Sequence, residues 1–297
     1  MKASVLTILL VIKGLNLFSQ EQAETPDRKW KLVWSDEFNY AGLPDDTKWS
    51  YENGFIRGVE KQLYTVKRKE NVTVQNGYLV ITGKKESVEN PNYQFKKDVN
   101  KKATYLRKFK NLKPDEMPNT VKNKAQLYSD YTSASLTTLK KASWTYGKVE
   151  VMAKVPEGKG VWPTIWLLGA NRAELGWPKC GEIDIMEYTR KRSSNIFSNV
   201  HFANSSNVHV ANSGNISLDV SPSLDFHKYS VEWDAKKIKF FIDDKLYHTV
   251  STNNAGETFN KPFYLLINLA LGGPFAGPVD DSALPQKFMI DYVRVYQ

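Results

Sequence analysis

Cysteine is almost absent from this chain. Cys180 stands alone among 297 residues, so no disulfide can form within the chain and stability has to come from core packing, with a metal as the remaining staple. Histidine is scarce as well. His209, His227 and His248 show no metal-ligand spacing and read as surface or structural residues. No long Pro-, Gly- or Ser-rich linker interrupts the sequence and no internal repeat stands out, so one domain with one large core is expected. The N-terminal apolar run, Val5 to Ile12, is too short to span a bilayer. With Lys2 before it and Leu17-Phe18-Ser19-Gln20 after it, residues 1–20 read as a signal peptide, and residues 21–297 as the mature domain. No cysteine lies near the run, which argues against a lipid anchor. A secreted or periplasmic protein is expected, unattached to membrane after signal removal and monomeric.

Basic residues outnumber acidic ones, giving a net charge of +9, but the excess is concentrated. Ten Lys or Arg lie between Lys96 and Lys124 against Asp98, Asp115 and Glu116, a local excess of seven. No recognised nucleic-acid-binding motif accompanies them, so no nucleic-acid partner is expected. The segment from Ser87 to Asp130 holds Pro91, Pro114 and Pro118 and reads as a solvated basic loop insertion, with a short helical turn around Thr104 to Lys110.

Elsewhere short alternating apolar and polar runs are separated by turn residues. Asn71 to Val74 and Tyr78 to Thr82 flank Asn76-Gly77, a hairpin signal. Similar runs cover Tyr146 to Val155, Val161 to Leu168, Gly181 to Tyr188, Asn199 to Ala203, His227 to Asp234, Lys237 to Ile242 before Asp243-Asp244, Phe263 to Leu271 and Phe288 to Tyr296. Regular short strands with few helical periods predict an all-β sandwich.

The run Gly181-Glu182-Ile183-Asp184-Ile185-Met186-Glu187-Tyr188 carries the candidate chemistry. Alternation puts Glu182 and Asp184 on one face and Ile183 and Ile185 in the core, but strict alternation would send Glu187 the wrong way. A bulge near Ile185-Met186 restores it. Retaining cleavage of a glycosidic bond needs two carboxyl groups about 5 to 5.5 Å apart, whereas a flat strand would hold the two Glu Cα atoms roughly 16 Å apart. The strand must therefore curve beneath a cleft. Asp184, between the glutamates, can help keep one ionised and the other neutral.

The Glu182 to Glu187 hexapeptide, preceded by Trp177-Pro178 and Gly181, resembles the active-site strand of glycoside hydrolase family 16, most of all its laminarinase-like members. Trp34 to Asn39, Tyr131 to Ala134, Gly160 to Trp166, Asn268 to Gly273 and Asp291 to Tyr296 resemble the same family, so the likeness spans nearly the whole mature chain. It implies a jelly-roll sandwich of two curved antiparallel sheets with a concave substrate cleft. It also implies that Glu182 is the nucleophile, Asp184 the assisting acid and Glu187 the acid/base. The extra residue between Asp184 and Glu187 matches the bulged motif of laminarinases, agarases and carrageenases, which lichenases usually lack.

Trp162, Thr164 and Trp166 alternate onto one strand face, where both indoles can line a cleft and stack on sugar rings. The resemblance carries over Trp177 as a sugar platform and His201 as a substrate-facing histidine. Arg57 to Tyr64 resembles a cleft strand in which Glu60, Gln62 and Tyr64 match, while the asparagine usual near Gly58 or Val59 and the aromatic usual at Leu63 are missing. Arg57 and Glu60 are candidate substrate contacts there. No cofactor is required for the chemistry. The resemblance implies a structural calcium at Glu37, Gly77 and Asp291, oxygen ligands of the kind calcium takes.

The expected activity is retaining endo-hydrolysis of a β-1,3-glucan or mixed β-1,3/1,4-glucan. A sulfated galactan such as carrageenan, agar or porphyran is the alternative substrate, suggested by the basic insertion. A β-glucan-binding protein without catalysis is the alternative from another class.

Overall fold

Two-residue turns in left-handed backbone set the strand registers. Asn76 and Gly77 have φ of 53° and 80°, and Asp243 and Asp244 have φ of 48° and 66°, as tight hairpins require. The computed structural model describes residues 29–96, 99–113 and 116–297, and the signal peptide expected over 1–20 lies outside them. Lys31–Gln297 forms one unit. No helix among the described residues is long and apolar enough to cross a membrane.

The chain opens with β1 (Leu32–Asp36), β2 (Ser50–Tyr51), β3 (Gln62–Tyr64), β4 (Val72–Gln75) and β5 (Tyr78–Lys85). Two helices follow, α1 (Val99–Leu106) and α2 (Asn119–Ala125). Then come β6 (Tyr131–Ser133), β7 (Ser135–Thr137), β8 (Gly147–Lys154), β9 (Val161–Gly169), α3 (Arg172–Leu175) and β10 (Glu182–Glu187). β11 (Asn195–Ala203), β12 (His209–Ser217), β13 (His227–Trp233), β14 (Lys237–Ile242), β15 (Lys245–Ser251), β16 (Phe263–Leu271), α4 (Gly273–Ala276) and β17 (Gln286–Tyr296) complete it.

The strands form the expected sandwich. One sheet runs β15-β14-β13-β8-β17-β5-β6-β3, with β1 on β17 and β4 on β5; the other runs β12-β11-β10-β9-β16-β7-β2. Pairing is antiparallel except between β3 and β6, a parallel pair that makes the first sheet mixed rather than purely antiparallel. Between the sheets Val149, Val151, Val293 and Val295 pack with Ile165, Leu167, Ile183 and Ile267 in a single core. Alternate residues of β9 face the other way, so the seven-stranded sheet presents a second face on which a site can be built.

Two expectations need correction. The 87–130 insertion is more helical than expected: α1, with no buried residue, and a 3-10 turn at Arg107–Phe109 supply the helical turn expected around Thr104 to Lys110, but α2 was not expected, and it buries Val121 and Ala125, one helical turn apart, together with Asn119. Spacing of four apolar-to-apolar residues inside a lysine-rich stretch is a weak signal, and tertiary packing decides it. The second is β12, whose polar, glycine-containing sequence gave no strand pattern. It is an edge strand with six exposed residues, paired along its full length to β11, so it needs little apolar alternation.

Candidate active site

Gly181 opens the catalytic strand in left-handed backbone, φ 79°, where an added Cβ would meet Thr258 at 2.6 Å and Phe263 at 2.9 Å. From there β10 pairs regularly until Asp184, opposite Trp166 of β9 and Asn199 of β11. The register then slips: Met186 faces Ile165, leaving Ile185 as the extra residue. This is the bulge the sequence required. Ile183, Ile185 and Met186 are all buried in the core, while Glu182, Asp184 and Glu187 all line one cleft.

The cleft measures about 600 Å³. β9 supplies Trp162, Thr164 and Trp166, β16 supplies Asn268 and Ala270, and the segment Ile56 to Glu60 forms a wall. Each glutamate is held by an indole: Trp162 Nε1 donates to Glu187 Oε1 and Trp177 Nε1 to Glu182 Oε2, both at 3.1 Å. Trp177 is 48% exposed, so its ring is open to a ligand. Trp166, by contrast, is buried. Arg57 lies over its ring at 5.1 Å and its Nε1 donates to Asn268 Oδ1 at 2.8 Å, so it builds the cleft floor instead of offering an open stacking face.

Burial drives the electrostatics. Loss of water pushes Glu182 and Glu187 each up to about 7, and pushes Asp184 well above the ordinary carboxylate range, with Glu182 and Glu187 adding like-charge repulsion at Asp184. The three carboxyl groups therefore share protons near neutrality. The surroundings are unequal. Arg57 and Arg172 and the Trp177 N–H favour the charged form of Glu182, whereas Glu187 has only the Trp162 N–H and is further raised by Glu182. The two glutamates thus sit in unequal surroundings, although burial raises both to about the same value, and Asp184, pressed by both neighbours, is pushed furthest toward its protonated form.

His201 stands beside the acids, its Nε2 3.5 Å from Asp184 and 3.9 Å from Glu182. Burial and the neighbouring His209 lower it to about 4, so it is neutral at ordinary pH. His209, read as a surface or structural residue, is exposed, and it also reaches the site: its Nε2 is 2.9 Å from His201 Nδ1 and its ring packs on Trp177 at 4.7 Å. It sits on β12, the strand without a sequence pattern, so no local signal marked it. Asn268 was also missed as a site residue. It accepts from Thr164 Oγ1 and Trp166 Nε1 and donates to Tyr64, tying three elements together under the cleft. His227 and His248 do hold structural contacts, with Asp243 and with Ser198 and Asn212.

Arg57 pairs with Glu52 at 2.6 Å and approaches Glu60 at 3.9 Å. Glu60 is itself buried, and accepts from Gln62 at 2.6 Å. Of the residues expected to hold calcium, Glu37 follows β1, Gly77 lies in the turn between β4 and β5, and Asp291 lies in β17, all at the other sheet. Glu37 is gripped by Arg294 through two hydrogen bonds of 3.0 and 2.8 Å, Gly77 offers only backbone, and Asp291 lies at a register shift of β17. With the Glu37 carboxylate committed to Arg294, a calcium there would draw on backbone carbonyls and on Asp291. Among the described residues, the side chains that cluster as metal ligands do are Glu182, Asp184 and His201, whose ligand atoms lie within 4.8 Å of one another.

A β-sandwich whose aromatic cleft holds three proton-sharing carboxyl groups on one bulged strand has the architecture of a glycoside hydrolase. The chain belongs to the glycosyl hydrolases family 16, whose sequence pattern matches residues 59–294. It is 33% identical to a beta-glucanase of Rhodothermus marinus over 98% of this chain and 93% of the relative. The solved laminarinase of the same organism superimposes with a TM-score of 0.71 at 34% identity, covering 90% of this chain and 97% of that one. A structure from work on human gut microbiota endo-acting O-glycanases that initiate mucin breakdown superimposes with a TM-score of 0.76 at 36% identity, covering 90% and 91%. The protein is thus a glycoside hydrolase homologous to endo-β-1,3-glucanases.

Proposed function

We propose that the chain is an exported, retaining endo-β-1,3-glucanase, acting on laminarin-type or mixed β-1,3/1,4-glucan, with residues 1–20 as the export signal and 21–297 as the catalytic domain. The observation that carries this reading is the bulge at Ile185, which brings Glu187 onto the face of Glu182 and Asp184. Glu182 attacks the anomeric carbon as the bond to the leaving oxygen breaks, and Glu187 gives that oxygen its proton. A glycosyl ester on Glu182 results. Glu187, now a carboxylate, removes a proton from water as the water attacks the same carbon, releasing Glu182 and restoring the acid. Asp184 holds a shared proton between the glutamates, and His201, neutral, borders the nucleophile without adding charge. Trp177 stacks on a sugar ring, Trp162 orients Glu187, and Arg57 and Glu60 line the wall that meets the substrate.

The test is reducing-sugar release across laminarin, mixed-linkage glucan and sulfated galactans, with proton NMR of the first product. Retention of the β anomer supports the double displacement. Full activity of Glu182→Ala in a verified preparation would sink it. A second reading keeps the machinery and changes the glycan to a sulfated galactan. It is favoured by the basic insertion abutting the cleft wall at Arg57 and Gly58, and selective activity on the charged members of the panel would establish it.

A further inference from the structure

Residues 53–58, which lead into the cleft wall, have little sheet pairing of their own; the bridge of Gly54 to Tyr64 is their one ladder contact among the described residues. Such a segment must satisfy its backbone groups elsewhere. The insertion does this. Asn119 Nδ2 donates to Arg57 O at 2.7 Å, and the Asn119 backbone N–H donates to Gly58 O at 2.8 Å. Asn123 Oδ1 accepts from Phe55 N at 3.3 Å and from Asn92 Nδ2 at 3.0 Å, and Asn92 Nδ2 also reaches Asn53 O at 3.3 Å. The approach is so close at Gly54, φ 98°, that a Cβ would come within 2.4 Å of both Asn92 and Asn123.

The gripping helix is itself fixed. Asn90, fully buried, donates to the carbonyls of Asn123 and Gln126 at 2.9 Å each, closing the C-terminal end of α2, while Val121 and Ala125 are packed inward. The held segment in turn carries Arg57, whose guanidinium must meet Glu52, lie over Trp166 and Tyr64 at 5.1 and 5.3 Å, and face the cleft. A partly buried arginine between two carboxylates tolerates little displacement, because losing its geometry leaves desolvated charge unpaired.

We infer that the 87–130 insertion positions Arg57 for glycan recognition, with Asn119 and Asn123 as the positioning residues that lock its backbone. The inference deepens the endo-glycanase reading above and rests on it. It gives the insertion a role in substrate binding at the cleft wall, although none of its described residues lines the cleft.

The experiment compares Asn119→Ala, Asn123→Ala, Arg57→Lys and the Asn119→Ala/Arg57→Lys pair by steady-state kinetics on the polysaccharide that the wild type degrades best, alongside melting curves. Asn119→Ala is expected to raise KM about tenfold, the effect of about 1.4 kcal/mol, with kcat within about twofold. Combined with Arg57→Lys it should add little, since both act through the same guanidinium. Asn123→Ala supplies the same readout should Asn119→Ala fail to fold. Unchanged KM in the folded asparagine variants, or full additivity with Arg57→Lys, overturns the inference. A wild type inactive on the whole panel overturns the endo-glycanase reading instead, so the two failures are distinct.

Discussion

Replacing Glu187 with Gln should make the protein more stable while disabling it, and only at neutral to alkaline pH. Burial raises this carboxyl from its ordinary 4.5 to about 7, so between those values the native state binds a proton that the unfolded chain has released. Stability must therefore fall as pH rises through that window. The penalty is absent below about pH 4 and complete above about pH 7. At ~1.4 kcal/mol per pH unit, Glu187 bearing the whole shift would cost ~3 kcal/mol, and sharing of protons with Glu182 and Asp184 brings the figure for one replacement to ~1–3 kcal/mol. Glutamine escapes it, because it carries no charge at any pH and still offers Trp162 Nε1 an oxygen. For a domain of this size ~1 kcal/mol moves Tm by ~2–4 °C, so Glu187→Gln should melt ~2–12 °C above wild type at pH 8 and level with it at pH 4. Loss of the acid/base should lower kcat ~10²–10⁴-fold. Thermal melts at pH 4 to 8 on both proteins decide the matter. A Tm difference that does not change with pH, or a less stable variant at pH 8, refutes the view that a desolvated carboxyl cluster strains this fold.

Three further outcomes are expected. Trp177→Ala should raise KM on polysaccharide about tenfold through loss of stacking, while Trp177→Phe, which keeps a ring but loses the bond to Glu182, should depress kcat more than KM. Gly181→Ala should lose ~1–3 kcal/mol in urea denaturation, because the new methyl meets Thr258 and Phe263 in backbone that disfavours it. Asn268→Ala should cost ~1–3 kcal/mol for each group it leaves unpaired, and lower kcat/KM, by orphaning Trp166 Nε1 and Thr164 beneath the cleft.

Much of the fold could be read from local pattern. The Asn76-Gly77 and Asp243-Asp244 hairpins, and the strand pattern around β8, β9, β10 and β16, follow from turn residues and period-two alternation. The same rule exposed its own exception at Glu187, and so required the bulge found at Ile185. Where alternation is not needed, it was no guide: β12, wetted along most of its length, and α2, held by tertiary contacts, both escaped it. Trp166 shows the limit from another side. Its face on β9 was legible, but its burial under Arg57 depends on a segment 109 positions earlier in the chain.

The three acids, their common strand and the need to kink it are properties of sequence alone, because side-chain direction along a strand is fixed by a local repeat. The desolvation of Glu182, Asp184 and Glu187, the approach of His209, and the grip of the insertion on Arg57 belong to tertiary structure. Each joins residues that no local period relates. Sheet order brings β12 beside β11, and the fold sets α2 against the cleft wall; the resulting desolvation and pairing then decide where the charges reside.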